Sequence, residues 1–307
     1  MPRDFRFGVS VFQAETGEAW REKARRVEGL GFDVLLIPDH IGSELLSYAP
    51  ALMAAADATT TLRVGPFVLD NNFRHPAFVA RDAATIDLLS EGRYELGIGG
   101  GWLPANFERT GVPFKTAGIR AGRLEESVLI IKGLLKGEPF SFAGEHYTIA
   151  ELAGFPKPVQ QPLPIMMGAG GPRVLDFAAR EADIIGVTPP ALPQGGLKLA
   201  VEADSVDRQI ARIRAAAGEL FDDIELNILM QEVLVTDDRQ AAAEELAAQW
   251  EKPAADLLDS PHLLIGTHEQ MAEDLRQRRE RFGFSYIAVF ERDLDAFAPV
   301  IAKARSA

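Results

Sequence analysis

Along the whole chain, short apolar runs alternate with longer stretches in which apolar residues recur every three or four positions. The run Val34-Leu35-Leu36-Ile37 is continuous rather than alternating, which suits a parallel strand covered on both faces, and Pro38 ends it by withholding an N–H. The same pattern predicts strands over 5–11, 34–37, 62–69, 94–98, 164–167, 183–187, 224–235 and 286–290. Between them lie helical periods over 18–30, 50–59, 76–89, 120–136, 172–181, 205–217, 239–250, 268–282 and 294–305. Pro76 suits a first helical turn, and Thr267 with Gln270 three residues on is a capping-box pair. Residues 102–117 and 188–198 read as long loops and candidate lids, and 137–161 as a small excursion carrying a hairpin. Eight strands alternating with helices fit either an open doubly wound sheet or a closed (β/α)8 TIM barrel. The barrel is favoured, as one domain over 1–307 with rim insertions near 137–161 and 188–204.

The polar residues that interrupt this pattern collect at strand exits, where parallel α/β folds carry out chemistry. Asp39 and His40 follow the second strand and form a candidate acid/base pair; they read equally well as a helix cap beside a solvated histidine. The run Gly97-Ile98-Gly99-Gly100-Gly101-Trp102 is either a close approach to a ligand or a flexible exit. Phe67 and Val68 near the third exit are barrel filling unless a flat ring packs on them. Gly168-Ala169-Gly170-Gly171, between a buried strand and a helix opening at Pro172, offers several N–H groups and a positive helix end to one phosphate. It lacks the spacings of a triphosphate loop and of a dinucleotide fold, so it suits a monophosphate cofactor or is a plain tight turn.

Composition narrows the chemistry. The 307 residues include no cysteine, and the five histidines (His40, His75, His146, His262, His268) form no spaced ligand pair, so no metal site is expected. Forty-five acidic against 32 basic residues leave a net charge of −13, which argues against nucleic-acid or anionic-membrane partners. No apolar run approaches the ~20 residues that span a bilayer, and the start has no signal-peptide layout, so a cytoplasmic protein with a small-molecule substrate is expected.

Pro38-Asp39-His40, Arg74-His75-Pro76 through Ser90-Glu91-Gly92-Arg93, Leu96–Trp102, Arg123-Leu124-Glu125-Glu126 and the Gly168 turn together resemble the bacterial luciferase-like superfamily, in the right order over nearly the whole chain. Within it, the chain looks most like oxidoreductases that use the deazaflavin coenzyme F-420. The resemblance implies a homodimeric barrel with the cofactor ring in its mouth, FMN being the alternative cofactor. It implies a non-prolyl cis peptide at Phe67-Val68 supporting the ring, and phosphate binding by Gly168, Ala169, Gly170 and Gly171. Asp39, Asp70, Gly101 and Asn106 fall at positions that line the cofactor. His40 falls at the residue that gives or takes the substrate proton, with Asp39 beside it. Glu44 stands where deazaflavin sugar-phosphate dehydrogenases carry a tryptophan, and Trp102 where they carry a catalytic glutamate, so these two mark a different and more apolar substrate pocket. Arg74, Lys115, Arg120, Arg173 and Lys198 are candidates for the charge that F-420's acidic tail requires. Hydride transfer with F-420 is the leading expectation; a monooxygenase using reduced FMN and a non-catalytic flavin binder are the alternatives.

Overall fold

The computed structural model describes residues 3–41, 44–190, 192 and 202–306. Its main sheet runs Arg63–Pro66, Val34–Ile37, Arg6–Ser10, Phe284–Phe290, Glu225–Leu229, Ile184–Val187, Ile165–Ala169, Leu96–Gly99, Leu69–Asp70, with every pairing parallel. The first and last segments are two parts of one strand, interrupted at Phe67-Val68, and Val64 also bridges to Tyr94. The sheet therefore closes on itself as an eight-stranded TIM barrel.

Period-two alternation divides the apolar residues between two cores. Leu35 and Ile37 point outward into the layer shared with Trp20, Leu52, Val79 and Leu124 of the surrounding helices. Val34 and Leu36 point inward and meet Met166, Ile184, Tyr286 and Ala288 in the lumen, with Phe67, Val68 and Leu229 against them. Each such aliphatic side chain contributes about 1.5–3 kcal/mol on leaving water. The amino-terminal foot of the barrel is closed by charge. Arg6 bonds Glu95 at 2.6 Å and Glu225 at 2.9 Å, and the Tyr286 hydroxyl donates to Glu95 at 2.7 Å.

Several boundaries match the sequence pattern, among them Val34–Ile37, Pro76–Leu89, Pro172–Glu181, Arg239–Trp250 and His268–Phe282 with its Thr267/Gln270 capping box. Three expectations are corrected. The strand expected over 62–69 breaks at Phe67-Val68, where the peptide is cis. The strand expected over 224–235 is two strands: Glu225–Leu229 stays in the barrel, and Glu232–Val235 pairs with Leu263–Gly266 in a separate parallel ribbon. The loop expected over 102–117 contains the helix Pro104–Thr110, with Pro104 in its first turn and Gly111 closing it in the left-handed region. The excursion at 137–161 does carry a hairpin, Pro139–Ala143 against Thr148–Ala153. Most of 188–204 lies outside the described residues. Among the described residues no helix is long and apolar enough to cross a membrane.

Candidate active site at the carboxyl end of the barrel

Ile37 ends its strand, and the next turn separates Asp39 from His40. Asp39 is gripped by the Arg74 guanidinium through both oxygens, with Nη2 to Oδ1 at 2.8 Å and Nη1 to Oδ2 closer still, and Oδ2 also accepts the Asp70 N–H at 3.0 Å. Arg74 in turn lies over the Tyr48 ring, 4.9 Å from its centroid. A fork-to-fork pair of this kind fixes the orientation of the carboxylate. His40 turns elsewhere. Asn106 Nδ2 lies 3.0 Å from its Nδ1, and the Trp102 indole meets it edge-on with ring centroids 5.6 Å apart. Burial pushes the His40 imidazole below its ordinary pKa, while the negative Asp39 pulls the other way. The adjacent pair is thus split: Asp39 is held in an ion pair with Arg74, while His40 stands against Asn106 and Trp102.

Asp70 caps the turn after the interrupted strand. Its Oδ1 accepts the Asn72 backbone N–H at 2.9 Å and the Asn72 amide at 2.7 Å, and that amide also donates to the Gly100 carbonyl at 2.9 Å. A Cβ at Gly101 would fall 2.3 Å from Asp70 Oδ2, and its φ of +72° favours glycine. Burial raises the Asp70 carboxyl above the usual range despite Asn72 and Arg120. Arg120 reaches the Gly101 carbonyl at 3.2 Å and stacks on Phe114. The exits of the third and fourth strands are thereby tied together.

The interrupted strand explains other glycines. Val68 projects toward Gly97, Gly99 and Gly168, where a Cβ would stand 3.1, 2.8 and 3.3 Å from its methyl groups. Those positions make room for the bulge, a role distinct from the flexible exit or ligand approach read from sequence. Phe67 and Val68 remain half-buried at the top of the lumen, an apolar shelf.

Beyond the shelf, the turn expected over Gly168–Gly171 is shorter: Gly168 and Ala169 end the strand Ile165–Ala169, and only Gly170 and Gly171 lead into the helix Pro172–Glu181, with Gly171 at its cap and no side chain satisfying the first N–H groups. A Cβ at Gly171 would meet nothing within 4 Å, so the backbone there is open to a ligand. Gly170 is instead packed against protein, a Cβ there falling 2.6 Å from the Pro189 carbonyl, and Gln209 fixes the turn from behind by donating to the carbonyls of Gly170 at 3.1 Å and Thr188 at 2.9 Å. An apolar shelf for a flat ring and an uncapped helix start for an anion suit a deazaflavin or flavin phosphate. Phe67 and Val68 would carry the ring, and the N–H groups from Gly171 onward the phosphate.

The remaining candidates scatter. Glu44 is exposed, Arg74 is spent on Asp39, and Lys115 is exposed. Arg173 sits in the first turn of the Pro172 helix but is bonded to Glu125 at 2.7 Å, and Lys198 lies outside the described residues. Sequence reasoning did not assign the partnerships of Asp39 with Arg74 or His40 with Asn106, because the partners are 35 and 66 positions apart. Only the strand-end rule, applied to every loop at once, pointed to the same place.

Comparison with known proteins decides the family. The sequence profile described as luciferase-like monooxygenase matches residues 5–286. The chain belongs to that family. An uncharacterized protein of Mycobacterium tuberculosis is 33% identical over 218 residues, 64% of this chain and 70% of that protein. An F-420-dependent glucose-6-phosphate dehydrogenase of Amycolatopsis mediterranei is 32% identical over 53% of this chain and 50% of its own length. The luciferase-like barrel superposes on the coenzyme F-420-dependent tetrahydromethanopterin reductase of Methanopyrus kandleri with a TM-score of 0.79 at 18% identity, covering 98% of each chain. It also superposes on a long-chain alkane monooxygenase at 0.76 and 14% identity, covering 99% of this chain and 91% of the other. At these identities the two structures report the shared luciferase-like fold.

Proposed function

We propose that this luciferase-like protein is an oxidoreductase that transfers a hydride between coenzyme F-420 and a small organic substrate, with His40 handling the substrate's proton. The observation that carries the reading is His40 itself: a half-buried imidazole at the carboxyl end of the barrel, held at Nδ1 by Asn106, with no hydrogen-bond partner at Nε2 among the described residues. Support comes from the F-420-dependent dehydrogenases among its relatives, although the match spans about half of the Amycolatopsis protein. The deazaflavin supplies a carbon that gives or accepts hydride; the chain binds, orients and manages the proton. Trp102 packs on His40 and offers an apolar surface to the substrate. FMN is the second reading, favoured by the same shelf and uncapped helix, which recognise a ring and a phosphate without reading the ring's chemistry. Parallel titration with F-420 and FMN, followed by quenching of protein fluorescence, separates the two. Preferential F-420 binding upholds the proposal, and preferential FMN binding overturns it in favour of oxygen-dependent turnover.

We further assign the homodimer contact to the outer face of Pro76–Leu89. Phe78 and Leu89, on one side of that helix, are 57% and 58% exposed, and Phe155 alongside is 64% exposed. An antiparallel second copy would bring Phe78 of one helix toward Leu89 of the other, the self-complementarity that two-fold contacts need. Light scattering on Phe78→Asp is expected to show a monomer; an unchanged dimer would place the contact elsewhere.

A further inference from the structure

The amide beside His40 does more than hold the ring. Asn106 Nδ2 carries two hydrogens and no available lone pair, so at 3.0 Å from His40 Nδ1 it donates and Nδ1 accepts. A neutral imidazole that accepts at Nδ1 carries its hydrogen on Nε2. The residue that imposes this is itself well fixed. Asn106 is 3% exposed in the first turn of Pro104–Thr110, with its N–H on the Leu103 carbonyl at 3.1 Å and its carbonyl taken by the Thr110 hydroxyl at 2.7 Å. Protonating Nδ1 would point an N–H at the amide's own hydrogens, so the contact also opposes the imidazolium. The charges around the ring do not reverse this. Asp39 is neutralised by Arg74, Asp70 is bonded to Asn72 with Arg120 behind it, and Trp102 presents an uncharged edge.

We propose that Asn106 is the positioning residue that holds His40 as the neutral Nε2–H tautomer, so that the histidine offers a hydrogen-bond donor rather than a base, and that the site is built to reduce a carbonyl or imine. The direction and substrate class rest on the hydride-transfer reading above; the tautomer does not. In the reductive step a hydride from the reduced deazaflavin forms a new C–H bond at the carbonyl carbon. The C=O π pair moves to oxygen, which the Nε2–H hydrogen-bonds, and a proton from solvent water relayed through Nε2 completes the alcohol, leaving His40 neutral and hydroxide in solvent. The carbonyl is reduced by two electrons and the cofactor oxidised by two. Alcohol oxidation would have to start from a ring with a lone pair at Nε2, which this tautomer disfavours in the resting site.

The test begins without cofactor. Nitrogen NMR of histidine-labelled protein, with His40 assigned by the signal missing from His40→Gln, is expected to show Nε2 protonated and Nδ1 bare. A protonated Nδ1 overturns the proposal whatever the enzyme's activity. In Asn106→Asp a carboxylate accepts from Nδ1–H, so the tautomer should invert and the imidazole should titrate at higher pH. Reduction of ketones and imines by reduced F-420 should then fall roughly 10²-fold in kcat, with KM nearly unchanged. It should fall less in Asn106→Ala, where the tautomer is free. Equal reductive rates in wild type and Asn106→Asp despite an inverted tautomer would overturn the positioning role. The expected tautomer with strong FMN and no F-420 binding would instead remove the hydride-transfer reading and, with it, the assigned direction.

Discussion

The two ends of the barrel treat buried polar groups in opposite ways. At the foot, Arg6 is shared by Glu95 and Glu225, and Tyr286 donates to Glu95, so the charges satisfy one another. At the mouth, Asp39 and Arg74 form one such pair, but its neighbours keep spare capacity. Among the described residues, neither amide atom of buried Asn71 has a hydrogen-bond partner, Asp293 Oδ2 has only the Arg292 guanidinium at 3.7 Å, and no side chain caps the first turn of Pro172–Glu181. Buried polar atoms without a hydrogen bond occur at the foot too, at Arg6 Nε and Arg63 Nε, but there each belongs to a guanidinium bonded through its other nitrogens, whereas the Asn71 amide is unmet at both atoms. The foot shows that the chain is able to close such a surface.

Four substitutions sharpen that contrast. The largest effect is expected from His40→Ala, which should lower turnover with F-420 about 10²–10⁴-fold while cofactor binding and thermal midpoint stay near wild type. A matching loss of cofactor affinity would move His40 from proton chemistry to binding. Next, Glu95→Ala leaves Arg6 with Glu225 alone, strips the buried Tyr286 hydroxyl of its acceptor and should cost up to about 3 kcal/mol in denaturant unfolding. Cofactor affinity of the folded fraction should not change.

A smaller and pH-dependent effect belongs to Asp293. Burial raises its carboxyl from 3.8 to about 6, with Arg292 opposing and Glu232 assisting the shift. The folded state therefore binds the proton more tightly than the unfolded state, so stability from this group falls as pH rises from about 4 to about 6. Asp293→Asn should remove that slope and gain about 1–2 kcal/mol above it, read from thermal melts across pH. Parallel melting curves for both proteins would exclude the effect. The smallest change is expected from Thr267→Ala, which removes a cap away from both ends and should cost about 1 kcal/mol without altering activity.

The foldable pattern was legible where local physics decides it. Continuous apolar strands, Pro at helix starts and a capping box each declare themselves within a few residues, and those boundaries agree with the structure. Failures came where local signals were weak or tertiary pairing decided. Leu263–Gly266 is only four residues long and gains its identity from Glu232–Val235, so no local period announces it. The helix Pro104–Thr110 is two turns long, too short to establish an apolar stripe, although Pro104 and Gly111 were available as punctuation. At the site, residue types and strand ends were readable, but pairings were not. Asp39 and His40 are neighbours in sequence and look like a couple, whereas each is bonded to a distant partner.

Val68 and its glycines carry a consequence for how such a chain is able to vary. At Gly97 an added Cβ would also lie 2.1 Å from the Pro66 carbonyl, backbone that no single replacement removes. At Gly99 its close contact is the Val68 side chain alone. Alanine at 97 should thus be intolerable in every background. Alanine at 99 should be harmful while Val68 is present and tolerated once Val68→Gly has removed those methyl groups, a positive coupling in a double-mutant cycle. The two glycines look interchangeable in the sequence, yet one is fixed absolutely and the other only by the history of its neighbour. Epistasis of this sort lets the shelf be remade, provided that the bulge changes before the wall behind it.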